Sequence, residues 1–539
     1  MVFIACIAAV ALGAIALRVP RLDVRPMHGD EGNQAVKAGM LLETGVYRYD
    51  PRDHHGPSLY YLTLPVLRLA SVHTLAEATE TLLRLLPVAM GVGVILLLMG
   101  AGNALGRPAA VCAGVLTAVS PAMVFFSRYY IQEMLLVFFT FGAIVCAWRS
   151  ARSRSLAWAV PAGLCVGLMH ATKETWVLAA AAMVAGAAGA ALWSRWFDRG
   201  PAGEAAAPDA DAPGRRLRFG LVAGAIALAV GVVASVTFFS SFFTYARGVL
   251  ESVMAYAYYF DRAGGAGLHD KPWDYYLAML AFSRFVTGTG SGPWWSEGLI
   301  LGLAVVGAVA ALARRGIAGA SPGFLRFLVF YTLTLTGAYA AIPYKTPWCA
   351  LGFLHGYILL AGVGAVALVR WMPRWPLKVI VGAALVVLAG HLGWQAYRAS
   401  FVFPADQRNP YVYAHTAPDA LSLVRRVEEA ASVSPDGRDT VVKVIAPENY
   451  WPLPWYLRHF NPDHVGYYHE VPADPDAPII VTSGDPDFQK ALDARLRKSY
   501  NRQSTFGIRP GVLMTVYVED DLWRALVDRW SRPAPGGAE

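Results

Sequence analysis

The chain has 539 residues, 56% of them hydrophobic and 16% charged, with a formal net charge of +8. So apolar a composition excludes an ordinary soluble protein and points to an integral membrane protein. The basic residues sit in short clusters between apolar blocks instead of along one soluble face, so they read as membrane-topology signals and no nucleic-acid partner is expected.

Apolar blocks of roughly the 20 residues needed to cross a bilayer as a helix recur along the first 400 residues. They lie near 2–19, 83–104, 108–126, 129–148, 156–171, 175–194, 218–240, 297–313, 324–343, 349–369 and 377–397, eleven in all. No Lys or Arg precedes the first block and it is long for a signal-peptide core, which favours a retained anchor. Residues 20–82 form a loop in which 57–70 (PSLYYLTLPVLRLA) is apolar but short, as in a helix lying in the membrane interface. The segment 197–217, rich in Ala, Pro and Asp, reads as a linker. A second long loop, 241–296, is dense in aromatic residues and fits an interfacial belt better than a sugar platform.

From residue 398 the composition turns soluble. Apolar runs at 441–446, 477–482 and 512–518 alternate with helix-like stretches at 418–431 and 486–498, an α/β pattern. The aromatic, Pro-rich segment 447–460 either covers the mouth of the membrane domain or packs the core of its own domain. The expected fold is therefore a polytopic α-helical membrane domain, 1–397, followed by a soluble α/β domain, 398–539. Five cysteines all lie in or beside apolar blocks, with no disulfide or zinc-ribbon spacing.

Counting Lys and Arg in the short alternate loops gives fifteen on one side against Arg128, Lys173 and Lys345 on the other. The positive-inside rule then places the N-terminus and the 197–217 linker in the cytoplasm, and the 20–82 loop, the 241–296 loop and 398–539 outside. Arg18, Arg21 and Arg25 in the first outer loop run against this count, but they are mixed with Asp23, Asp30 and Glu31 in a long loop. The polar residues that interrupt the apolar sequence then fall at span ends on the outer face. They include His28, Asp30, Glu31, His54, His55, Arg128, Glu133, His170, Lys173, Glu174, His269, Asp270, Lys271 and Lys345.

Two adjacent carboxylates after a first span, then paired histidines about 25 residues on, resemble the GT-C membrane glycosyltransferases, closest to the protein O-mannosyltransferase and aminoarabinose transferase branch. HGDE, HHGPSLYY, SRYYIQE, HATKETW, HDKPW and YKTPW as a set look like the family often described as flippase activity-associated. The resemblance implies transfer of a sugar from a polyprenyl phosphate-linked donor, in contact with membrane lipids, to a protein, lipid or glycan acceptor at the outer face. It implies Asp30 as general base, with Glu31 positioning the acceptor or helping to hold a metal. The alternative is that the two acids merely begin the helix that follows.

Related enzymes present a metal-binding carboxylate and a phosphate-binding lysine where this chain has His54 and His55. Imidazoles there suit either a metal or a phosphate, or stand as an idle hydrated pair. A divalent metal (Mg, Mn or Zn) is thus expected on His54, Glu31 and His269, and the donor phosphate on Lys345, His55, Arg128 and Lys173. The lesser alternative for Lys345 is a snorkelling lysine, whereas Arg128 reads equally as one half of a structural pair with Glu133. Two other functions compete: a lipid-linked saccharide flippase or its accessory protein, and an inactive donor-binding relative. Charge is nearly absent from the middle of spans 3, 5, 7 and 10, which disfavours a transport path.

Overall fold

Backbone amides cannot stay unpaired in hydrocarbon, so the apolar blocks fold as helices that satisfy their own hydrogen bonds. A computed structural model describes residues 1–53, 55–198, 213–264, 269–287 and 290–531. Seven helices are long and apolar enough to cross a membrane, from Glu80–Leu105 through Trp375–Val402. An eighth results if Arg107–Val119 and Pro121–Ser127, bent by 61°, form one span. Val2–Arg18, Leu156–His170 and Gly298–Ala313 are shorter apolar helices. A helix therefore stands at each of the eleven expected positions, and length and composition qualify seven or eight of them as spans. His54 and most of the 197–217 linker lie outside the described residues.

Contacts divide the chain into two units. The first comprises Met1–Leu22, Thr44–Ala70 and Thr81–Tyr413, and the second Asp23–Glu43, Ser71–Glu80 and Ala414–Glu539. In the first unit glycines let helix backbones touch, as small residues do in membrane helix packing. A Cβ on Gly364 would stand 1.9 Å from the Leu303 carbonyl oxygen, and one on Gly307 2.0 Å from that of Leu360. The bend at Pro121 is held by the buried carboxylate of Glu297, which accepts from the Ser120 hydroxyl (2.6 Å), the Ala122 N–H (2.9 Å) and the Tyr411 hydroxyl (2.9 Å). Ser58–Leu69 is a separate 12-residue helix, short as its sequence requires. Within the 241–296 loop lie the helices Arg247–Gly264 and Tyr275–Ala281 and an antiparallel pair, β1 (Ser283–Thr287) and β2 (Gly290–Trp295).

In the second unit a five-stranded mixed sheet has the order β4-β3-β5-β7-β6. Its strands are β3 (Val442–Ile445), β4 (Val465–Tyr468), β5 (Ile479–Ser483), β6 (Tyr500–Arg509) and β7 (Val512–Glu519). β4, β3 and β5 run parallel, while β7 is antiparallel to both β5 and β6. Val442, Val444, Val481 and Val516 on one face pack against the Asp419–Ala431 and Asp520–Ser531 helices and Leu453. Ile445, Ile480 and Tyr517 on the other pack against Leu492 and Phe488 of the Pro486–Asp493 helix. β3, β5 and β7 coincide with the expected apolar runs. β4 and β6 escape such a reading because they are edge strands, only partly buried along most of their length. Leu453, Leu457 and Phe460 of the 447–460 segment belong to this core.

Candidate functional site

HGDE opens the Gly29–Thr44 helix, which folds as part of the second unit. His28 is the cap, and Glu31, three residues on, reaches back so that its Oε2 accepts the His28 N–H at 3.0 Å, one half of a capping box. Both Glu31 oxygens also accept from Arg25 Nη2, at 3.0 and 3.1 Å, and the carboxylate is fully buried. Asp30 differs: its side chain is 42% exposed, its oxygen lies 3.7 Å from His28 Nδ1, and its own N–H donates to that nitrogen at 3.1 Å. The two adjacent acids thus differ in burial, Glu31 fully buried against Arg25 and Asp30 partly exposed beside His28. The preceding strand of chain is anchored on both sides. The Met27 N–H donates to the Tyr456 hydroxyl (2.8 Å) and its carbonyl accepts from Thr416 (2.6 Å).

The remaining candidates lie in the first unit. His55 Nδ1 meets Glu174 Oε2 at 2.7 Å and the Tyr259 hydroxyl at 2.8 Å, and Tyr49 donates to the same carboxylate at 3.3 Å. Burial pushes the Glu174 carboxyl up, but the His55 pair outweighs it and holds the group below its ordinary value. Its neighbour Lys173 points elsewhere, into a buried ion pair with Glu133. That pair lines a small cavity with Tyr339, Trp348 and Cys349. Arg128 does not take Glu133. Instead it donates to the carbonyls of Arg18 (2.7 Å), Pro20 (2.7 Å) and Arg21 (2.8 Å), securing the C-terminus of the first helix. The alternative of an Arg128–Glu133 pair is therefore replaced by Lys173–Glu133, because Lys173 is the cation that reaches the carboxylate inside the bundle.

Lys345 is buried, and its ammonium donates to the carbonyls of Ile342 and Lys271. Burial lowers its pKa, partly opposed by Asp270. His269 Nδ1 meets the Tyr413 hydroxyl, and its carbonyl accepts the Lys345 N–H at 3.0 Å. Residues 269–271 and 342–345 are thereby bound into one structure, with Asp270 bridging Tyr344.

The described residues nominated for a divalent metal do not fit one. Glu31 is neutralised by Arg25, His269 meets a tyrosine, and among the described residues no three His, Cys, Asp or Glu side chains gather where an ion could sit. A fully buried carboxylate already paired with a guanidinium is a poor cation ligand. Sequence reasoning missed the partners: Arg25, Tyr49, Tyr259 and Glu297 lie in no common motif with the groups they hold. A Glu three residues after a helix cap is the one such signal present in the sequence.

The fold is of the GT-C membrane type. A family model described as dolichyl-phosphate-mannose-protein mannosyltransferase matches residues 64–202. No curated protein matches the chain in sequence. Among solved structures, the chain is similar to ArnT from Cupriavidus metallidurans bound to undecaprenyl phosphate, with a TM-score of 0.63 at 16% identity over 94% of this chain and 97% of that one. It is also similar to the Archaeoglobus fulgidus oligosaccharyltransferase tethered to an acceptor peptide, with a TM-score of 0.53 at 13% identity over 97% of this chain and 76% of that one. The chain is thus a multi-pass membrane protein whose transmembrane and sheet-containing parts together match such enzymes in fold.

Proposed function

We propose that this chain is a glycosyltransferase that moves a sugar from a polyprenyl phosphate-linked donor to an acceptor hydroxyl or amine at the outer face of the membrane. The observation that carries the reading is the end-to-end fold likeness to a protein bound to undecaprenyl phosphate. In the proposed step the acceptor oxygen or nitrogen bonds to the anomeric carbon as the bond from that carbon to the phosphate oxygen breaks. The electron pair leaves with the phosphate, and the acceptor proton goes to Asp30, the partly exposed carboxylate of HGDE. Attack opposite the leaving phosphate inverts the anomeric centre. Glu31, held by Arg25 and the His28 amide, fixes the turn that presents Asp30.

Negative charge developing on the phosphate calls for fixed cations. Lys345 has two of its three N–H donors on carbonyls, leaving one for a phosphate oxygen, and the His55 ring, held by Glu174, is the second phosphate candidate. Arg128 and Lys173 act mainly through the carbonyls and carboxylate they hold. No step is routed through a metal.

The test is sugar release from a panel of radiolabelled polyprenyl phosphate sugars by the purified protein in nanodiscs, with and without divalent metal. Asp30→Asn should lower transfer by about a hundredfold or more while donor binding persists. Lys345→Ala should weaken donor binding. Normal turnover in both variants would overturn the assignment.

A further inference from the structure

At the carboxyl ends of β3 and β5 the sheet of the second unit carries polar groups that the proposed transfer step does not use. After β3 the chain passes to Leu453, which packs on one face of the sheet, while after β5 it enters the Pro486–Asp493 helix on the other face. Connections that leave two adjacent parallel strands toward opposite faces open a gap at their carboxyl ends, where α/β sheets bind ligands. At this gap stand Glu448, just beyond β3, and Ser483, the last residue of β5. Glu448 Oε1 accepts from the Ser483 hydroxyl at 2.6 Å, yet its Oε2 is buried with no hydrogen-bond partner among the described residues. A carboxylate oxygen in that state costs free energy unless a ligand donor fills it.

Three further groups border the gap. Arg509, at the end of β6, donates to the Asn449 carbonyl and lies within electrostatic reach of both Glu448 and Asp30. A Cβ on Gly29 would stand 3.8 Å from Arg509 Nη1 and 3.5 Å from Trp451 Cβ, ordinary contact distances that set HGDE beside both residues. The Trp451 ring edge lies against Gly32, 3.5 Å from where a Cβ there would be. Asp30, Glu448, Arg509 and Trp451 all belong to the second unit.

We infer that this gap is the acceptor subsite, with Glu448, Arg509 and Trp451 binding a neutral, hydroxyl-rich acceptor such as a glycan beside Asp30. The inference rests on the glycosyltransferase reading and adds its acceptor class. Carboxylate oxygens take hydroxyl protons, the guanidinium donates to hydroxyl oxygens, and an aromatic ring covers the apolar face of a sugar. Two carboxylates against one guanidinium leave the gap net negative, which disfavours phosphorylated or carboxylated acceptors.

Saturation-transfer NMR on the full chain in nanodiscs, with methyl α-mannoside, methyl β-galactoside, glucuronate and glucose 6-phosphate as probes, tests this directly. Neutral glycosides should bind and the two anions should not. Glu448→Gln should weaken glycoside binding about tenfold, the loss expected for a hydrogen bond to a charged group. Ser483→Ala is a second variant that spares the carboxylate, and Arg509→Lys should weaken binding similarly. Equal binding of anions, or glycoside binding unchanged in Glu448→Gln and Arg509→Lys, would overturn the inference. Sugar release from polyprenyl phosphate donors, measured on the same samples, separates the two readings. Release without glycoside binding sinks the acceptor subsite alone, whereas Glu448-dependent binding without release keeps the subsite and sinks the transferase.

Discussion

Asp30 and Glu31 are neighbours in sequence with opposite work to do, and the difference is measurable. Removing the cation from a buried ion pair leaves an uncompensated charge, so Arg25→Met should destabilise the protein by about 3–5 kcal/mol. Asp30→Asn, at a half-exposed position, should shift stability by less than about 0.5 kcal/mol. Denaturant unfolding of both variants in detergent checks the contrast, and equal effects would contradict it. The Glu174–His55 pair makes a pH prediction. Because the folded-state pKa of Glu174 is lowered, its contribution is full above the unfolded value of about 4.3 and is lost as the pH falls through the lower folded value. In His55→Gln the two His55 contributions are gone and burial is opposed only by hydrogen bonds from Tyr259 and the backbone, so the folded pKa rises and the stability gained above the unfolded value should shrink. Thermal unfolding between pH 4 and 8 distinguishes the two slopes. At this scale the sequence shows which groups are ionisable, but not their partners: HATKETW gives no hint that Lys173 turns to Glu133 while Glu174 turns to His55.

Among the elements, apolar helices were legible from composition because burying or lipid-facing an apolar run leaves the chain little choice but to fold as a helix. Their packing was legible only in outline. The Ala159–His170 helix meets the Pro213–Phe239 helix backbone to backbone, since a Cβ on Gly163 would fall 2.2 Å from the Ala227 carbonyl oxygen and one on Gly167 2.4 Å from that of Gly231. Gly163→Val should therefore force the pair apart, costing about 1–3 kcal/mol or more, with increased thiol labelling of nearby Cys165 as the readout. Unchanged labelling and stability would mean the two helices do not touch there. In the soluble part, β3, β5 and β7 were legible as apolar runs because both their faces are covered, whereas β4 and β6 lack that covering. The Arg247–Gly264 helix was hidden in its loop by its aromatic composition. Leu250, Val253 and Met254 on it are exposed apolar residues.

At the scale of the whole molecule, the positive-inside count makes a topology prediction. Reporter fusions at Gly316 should report the cytoplasm and fusions at Ser434 the exterior; the reverse pattern would place HGDE in the cytoplasm and remove the lipid-donor reading. What the sequence by itself determined is the class of molecule and its division into lipid-soluble and water-soluble parts, because transfer of apolar side chains out of water depends on composition and run length alone. It also nominated HGDE as a place where chemistry is concentrated. Only the tertiary structure decided that the HGDE helix folds with the C-terminal sheet, that Glu31 is bound to Arg25 while Asp30 is partly exposed, and that Glu448, Ser483 and Arg509 lie at or just beyond the carboxyl ends of strands in that sheet. Those pairings join residues from 6 to 429 positions apart. They follow from which backbones come close enough for hydrogen bonds and ion pairs to form, a property of the packed chain and not of any local run within it.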